Sequence, residues 1–153
     1  MPRASALLLW AAYAAAAIGL VLGFDERSPV AGLRSVTLWT VGIMSVIIFL
    51  RRVAIARSSG GDDGHMQVGL AHLAWGVVAL AMVLRQSSAP ALIAVSLVFA
   101  AYLALSAAWR LAVLLRPGES RQPAAAFGGV AGVTALAAAI AWFAFSALGS
   151  SHG

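Results

Sequence analysis

The chain alternates long apolar runs with short polar breaks, and five runs stand out: Ala4–Phe24, Val36–Leu50, Met66–Leu84, Ala89–Trp109 and Ala124–Leu148. A hydrocarbon core about 30 Å thick needs roughly 20 apolar residues in helical form. Backbone groups in lipid must also bond within their own segment. The pattern therefore predicts an all-α integral membrane protein, with five transmembrane helices in one bundle at about 4–24, 33–57, 66–85, 89–116 and 124–148. The second run is charge-free only over Val36–Leu50. It spans if Leu33 and Arg34 are counted, Arg34 snorkelling outward, while Arg51, Arg52 and Arg57 carry the helix into the interface. The first run follows Arg3 but exceeds the roughly 7–15 residues of a signal h-region, so it reads as a helix of the mature protein.

The breaks are short and rich in turn formers. They read DERSPVAGLR after the first run, SSGGDDGH (Ser58–His65) after the second, SSAP after the third and PGESRQP after the fourth. Pro117 and Gly118 end the fourth helix, because proline cannot continue the hydrogen-bond ladder. No break is long enough to build a soluble core, so one transmembrane domain is expected over 1–153.

Composition sharpens this class. Of 153 residues, 62% are apolar and 10% charged, against about 25% charged in soluble domains. The absence of cysteine excludes disulfides, thiolate metal sites and thiol nucleophiles. All ten cations are arginine, giving a net charge of +5 and a pI near 11.4. Arginines beside apolar runs set orientation and meet acidic head groups, so no nucleic acid is expected as a partner. The arginine-rich, lysine-free composition points to a bacterial plasma (inner) membrane.

The arginines divide seven to three between the two ends of the bundle. Arg3, Arg51, Arg52, Arg57, Arg110, Arg116 and Arg121 fall at one end, Arg27, Arg34 and Arg85 at the other. The positive-inside rule puts the first end, with the N-terminus, in the cytoplasm and the C-terminus outside. Trp10, Trp39, Trp109 and Trp142 lie near span ends, as interfacial rings do, and Trp75 lies mid-span. The basic helix ends RRVAIAR and WRLAVLLR hint at a parallel repeat of the two arginine-end hairpins.

Helices in lipid associate where small residues let backbones approach. Four-residue ladders of this kind run through Gly19 and Gly23 on helix 1, Ala100 and Ala104 on helix 4, and Gly128 and Gly132 on helix 5. They are the expected packing positions, within the chain or between subunits.

Candidate chemistry centres on His72, the one ionisable side chain at membrane depth in an otherwise apolar run. Such groups are costly in lipid and face protein or water, so helix 3 is expected at the centre of the bundle with this face inward. His65, Gly69, Trp75 and Gly76 share that face by spacing. The face is suited either to a flat hydrophobic cofactor such as haem, pigment or quinone, with the glycines making room, or to a structural hydrogen bond from His72. Thr40, Ser45, Tyr102, Ser106 and Thr134 are the candidate partners for that bond. Nothing in the sequence requires a cofactor.

Asp62, Asp63 and His65 are too few to hold a hard cation or zinc by themselves. Arg51, Arg52, Arg57, Arg110, Arg116 and Arg121 form a candidate anionic-lipid surface. No intramembrane acid, nucleophile elbow, phosphate loop or zinc-protease motif occurs. The expectation is a small non-catalytic polytopic protein, partnered by the bilayer and by itself or other membrane subunits, as an oligomer or accessory subunit. The alternatives are a binder of a hydrophobic ligand at His72 and a small transporter or channel.

Overall fold

The computed structural model describes residues 2–58, 63–115 and 123–150. They form five helices long and apolar enough to cross a membrane, with no strand among the described residues. These are α1 (Pro2–Asp25), α2 (Pro29–Ser58), α3 (Asp63–Leu84), α4 (Ala89–Leu114) and α5 (Pro123–Ser150).

Helix α2 begins four residues before its expected start. Ser28 caps it, its hydroxyl accepting from the Ala31 N–H at 3.2 Å, and Pro29 occupies the first turn, where its missing N–H costs nothing. The first break thus shrinks to Glu26–Ser28. The Ser58–His65 break shrinks likewise, since α3 already starts at Asp63; the remaining 59–62 lie outside the described residues. At the end of α3, the Ser87 N–H reaches the Met82 carbonyl and the Gln86 N–H reaches Val83. This closure places Gln86 in the left-handed region at φ 52°.

The centre of the bundle is α2, with α4 beside it, rather than α3. In the most apolar stretches of α2 and α4, 44% of residues are buried, against 22% in α3. A polar residue in a span requires one protected face, and that condition can be met at the edge of a bundle. What makes α2 central is its supply of small and hydroxyl residues on several sides. A methyl group at Gly32 would lie 2.6 Å from the Gly23 carbonyl oxygen of α1, and one at Gly42 would lie 3.0 Å from Leu80 of α3. Thr37 donates to the Leu33 carbonyl at 2.7 Å and shares a 2.9 Å bond with Ser96 of α4, both hydroxyls fully buried. Thr40 donates to the Ala16 carbonyl of α1 at 3.4 Å.

These groups cluster where α2 winds into π-helical turns over Thr37–Ile43, the Met44 N–H reaching back to the Trp39 carbonyl. The wider turn interrupts the regular ladder and shifts the facing of the side chains that follow. Arg34 remains half-buried and donates to the Ser87 carbonyl at 3.4 Å, tying α2 to the α3–α4 turn.

At the end of the bundle carrying this turn, α1 and α5 close on aromatic rings. Phe24 lies 5.3 Å from Trp142 and 4.9 Å from Phe143 between ring centroids. The other end is tied differently: Arg51 Nε donates to the Ser5 carbonyl at 3.2 Å, joining α2 to α1.

The small-residue ladders divide on inspection. Gly19 and Gly23 are pressed into α2, where added methyl groups would lie 2.6 Å from Thr40 Oγ1 and 2.7 Å from Val36 Cγ2. Ala100 is buried but Ala104 faces outward. A four-residue step advances about 400° on a 3.6-residue helix, so a strict ladder drifts off its face by about 40° each time. The buried line on α4 runs Ser96, Phe99, Leu103 and Ala107 instead. Gly128 and Gly132 meet no heavy atom within 4 Å of an added methyl group, so they make no close helix contact among the described residues.

Candidate functional site

His72 is 6% exposed, turned inward from the edge helix α3. Its Nε2 lies 3.5 Å from the Tyr102 hydroxyl of α4, and its ring meets those of Tyr102 and Phe99 edge-on at 5.5 and 6.3 Å. Of the five hydroxyls considered as partners, Tyr102 is the one in reach. Thr40 bonds to Ala16, Thr134 bonds to its own helix at Val130, and the buried Ser45 hydroxyl has no partner among the described residues. A bond of 3.5 Å is at the weak limit of hydrogen-bond geometry. Interhelical bonds in membranes average only about 0.6 kcal/mol, so this bond by itself is a thin reason to bury an imidazole. The second ring nitrogen, Nδ1, is buried without a partner among the described residues.

The residues expected to share the His72 face separate. Gly69 and Gly76 make room for α2 rather than for a ligand: added methyl groups would lie 3.0 Å from Arg52 Cβ and 2.9 Å from Val46 Cγ2. Trp75 packs on Phe99 at 6.1 Å. The side chain of His65 lies outside the described set, as do those of Asp62 and Asp63, and no group of three metal-ligating side chains occurs among the described residues.

What lies beside His72 is a cavity of about 490 Å³ that draws on all five helices. Its floor is α2, through Met44, Ile48, Arg51 and Arg52. One wall is α1, through Leu9, Ala12 and Tyr13. The opposite wall is α4 and α5, through Tyr102, Leu105, Ser106, Trp109, Arg110, Val133 and Leu136, while His72 and Val68 of α3 complete the lining. The gap between α1 and the α4–α5 pair is thus filled by rings at the Phe24 end and left open at the arginine end. Exposed lining residues mark its lips: Leu105 is 72% exposed, Trp109 65% and Tyr13 45%.

Three of the six arginines proposed as a lipid surface, Arg51, Arg52 and Arg110, line this cavity. Arg57 is exposed outside it, and Arg116 and Arg121 lie outside the described residues. The cavity therefore has a cationic rim, a polar step of His72, Tyr102 and Ser106, and otherwise apolar walls.

Tyr13, Leu9 and Leu136 carry no signal in the sequence that distinguishes them from other lipid-facing residues. Helix α4 did carry one: Tyr102, Ser106, Trp109 and Arg110 follow at steps of four, three and one, a polar stripe on an apolar helix.

Fold and site together define a five-span helical membrane protein with an amphipathic cavity. Comparison with family models, curated proteins and solved structures finds no match.

Proposed function

We propose that this chain is a non-catalytic multi-pass protein of a bacterial plasma membrane, and that it holds an apolar or amphiphilic molecule in the cavity beside His72. The observation that carries this reading is the cavity itself. At about 490 Å³ it falls in the 300–1,000 Å³ range of ligand pockets, which are mostly apolar with a few placed polar groups. His72, Tyr102 and Ser106, together on its lining, are such groups. Axial ligation of a haem has weaker support, because Nε2 is turned to Tyr102 and Nδ1 is enclosed.

The experiment is native mass spectrometry of the full chain extracted in mild detergent. One bound molecule per chain is expected, and Leu136→Trp, which adds a ring into the cavity, should release it. A bare wild-type chain, or equal retention by the variant, overturns the reading.

A second reading, an oligomer or an accessory subunit of a larger complex, is favoured by Gly128 and Gly132. Their surface on α5 permits close approach of another helix and has no neighbour within the chain among the described residues.

In either case the seven-to-three arginine split supports a cytoplasmic N-terminus and an external C-terminus. A reporter active only outside the cytoplasm should be active when fused at the C-terminus and silent when inserted at Gly60. The opposite pattern would reverse the bundle in the membrane.

A further inference from the structure

We propose that the molecule held in this cavity is an anionic amphiphile taken from the lipid phase. Its acidic head group would sit on the guanidinium groups of Arg51, Arg52 and Arg110, and its chain would lie along the apolar wall below. This rests on the cavity reading above and assigns the chemical class of the occupant.

Three observations point the same way. The first is charge: two helices bring three guanidinium groups to one rim, and no carboxylate is among the described lining residues. Guanidinium forks match phosphate and carboxylate oxygens in pairs, so the rim selects an acidic group over a zwitterionic one. The second is the order of polarity. Inward from the rim come Ser106, Tyr102 and His72, and beside them Leu9, Val133 and Leu136. Cations at the rim, with hydroxyls and an imidazole set among hydrocarbon farther in, match an acidic head followed by a chain and its polar linkage.

The third observation is access. The lips formed by Tyr13, Leu105 and Trp109 are exposed on the flank of the bundle, so the cavity opens sideways, where the occupant's chain is already dissolved. At the far end of the bundle the Phe24, Trp142 and Phe143 rings pack on one another, outside the cavity lining. A free anion would use the rim and leave the apolar walls unfilled.

The test uses the delipidated full chain in a neutral detergent, titrated separately with phosphatidylglycerol, with phosphatidylcholine of the same acyl chains and with inorganic phosphate. Occupancy is read by native mass spectrometry and stability by thermal midpoint. Phosphatidylglycerol should bind at least about tenfold more tightly than phosphatidylcholine, a difference on the scale of 1.4 kcal/mol, and inorganic phosphate should leave the midpoint unmoved. The double variant Arg52→Gln/Arg110→Gln should bring phosphatidylglycerol down to the phosphatidylcholine level without changing the latter, and Leu136→Trp should abolish both.

If the double variant does not fold, the unmodified chain gives the same reading in salt. Near 1 M, where screening acts within about 3 Å, the gap between the two lipids should narrow. Equal binding of both lipids, lost in Leu136→Trp, overturns the acidic head group and leaves the cavity reading standing; no binding of either overturns both. Stabilisation by inorganic phosphate equal to that by phosphatidylglycerol overturns the amphiphile. A preference for phosphatidylglycerol that survives the arginine variants, salt and Leu136→Trp overturns this site.

Discussion

Phe99→Ala should be the most damaging single truncation in the chain, lowering stability by about 3–5 kcal/mol. Phe99 is the largest fully buried side chain among the described residues, and its ring stands between those of His72, Trp75 and Tyr102, at 6.3, 6.1 and 6.2 Å. In lipid the helices gain nothing from escaping water within the membrane, so the loss comes from dispersion contacts and from the void left behind. The void would also loosen α3 against α4 and with it the His72–Tyr102 pair at the cavity's edge. Equilibrium unfolding in mixed micelles measures the effect. Val98→Ala is the control: Val98 is 53% exposed, and its truncation should stay within about 0.5 kcal/mol. Comparable losses in the two variants would mean that α4 is rotated from the packing described.

The second large effect is expected from adding one carbon. Gly32→Ala should cost about 1–3 kcal/mol, the scale of overpacking, because the new methyl group would lie 2.6 Å from the Gly23 carbonyl oxygen and 3.2 Å from the Phe143 ring. The nearer atom is backbone and cannot turn aside, so α1 and α2 must separate where they are closest. Gly132→Ala makes the contrast. With no atom within 4 Å it should be neutral, or stabilising by up to about 1 kcal/mol through helix propensity. Thermal unfolding of the two variants at low protein concentration in detergent ranks them. A larger loss in Gly132→Ala would place a partner on α5 and favour the oligomeric reading over packing within the chain.

How much of this was legible beforehand differs from one feature to the next. The inward facing of His72 follows from one physical rule, the cost of a titratable group in lipid, and the rule needs no knowledge of neighbours. Its partner Tyr102 was among five hydroxyls that spacing alone cannot rank, since which helices touch is not a property of either helix. Gly19 and Gly23 proved to be close-contact positions and Gly128 and Gly132 did not, although all four sit in similar ladders. A small residue permits approach without specifying what approaches. The length of the Arg34 side chain was legible, but not its acceptor, which the α3–α4 turn supplies as the Ser87 carbonyl.

The sequence by itself determined the number of spans, their approximate bounds, the unequal loading of arginine on the two ends and the face that His72 must protect. Each of these depends on the bilayer, which acts on every segment independently through its thickness, its lack of hydrogen-bonding partners and its intolerance of charge. Only the tertiary structure decided that α2 and not α3 is the centre, that its middle winds into π-helical turns, and that α1 and α5 meet at Phe24 while a cavity opens between them at the arginine end. Those features come from how side chains on different helices fill the space between them. In lipid, where apolar surface has no preference between a neighbouring helix and an acyl chain, that fit is decided by close packing and a few hydrogen bonds, and neither can be read one helix at a time.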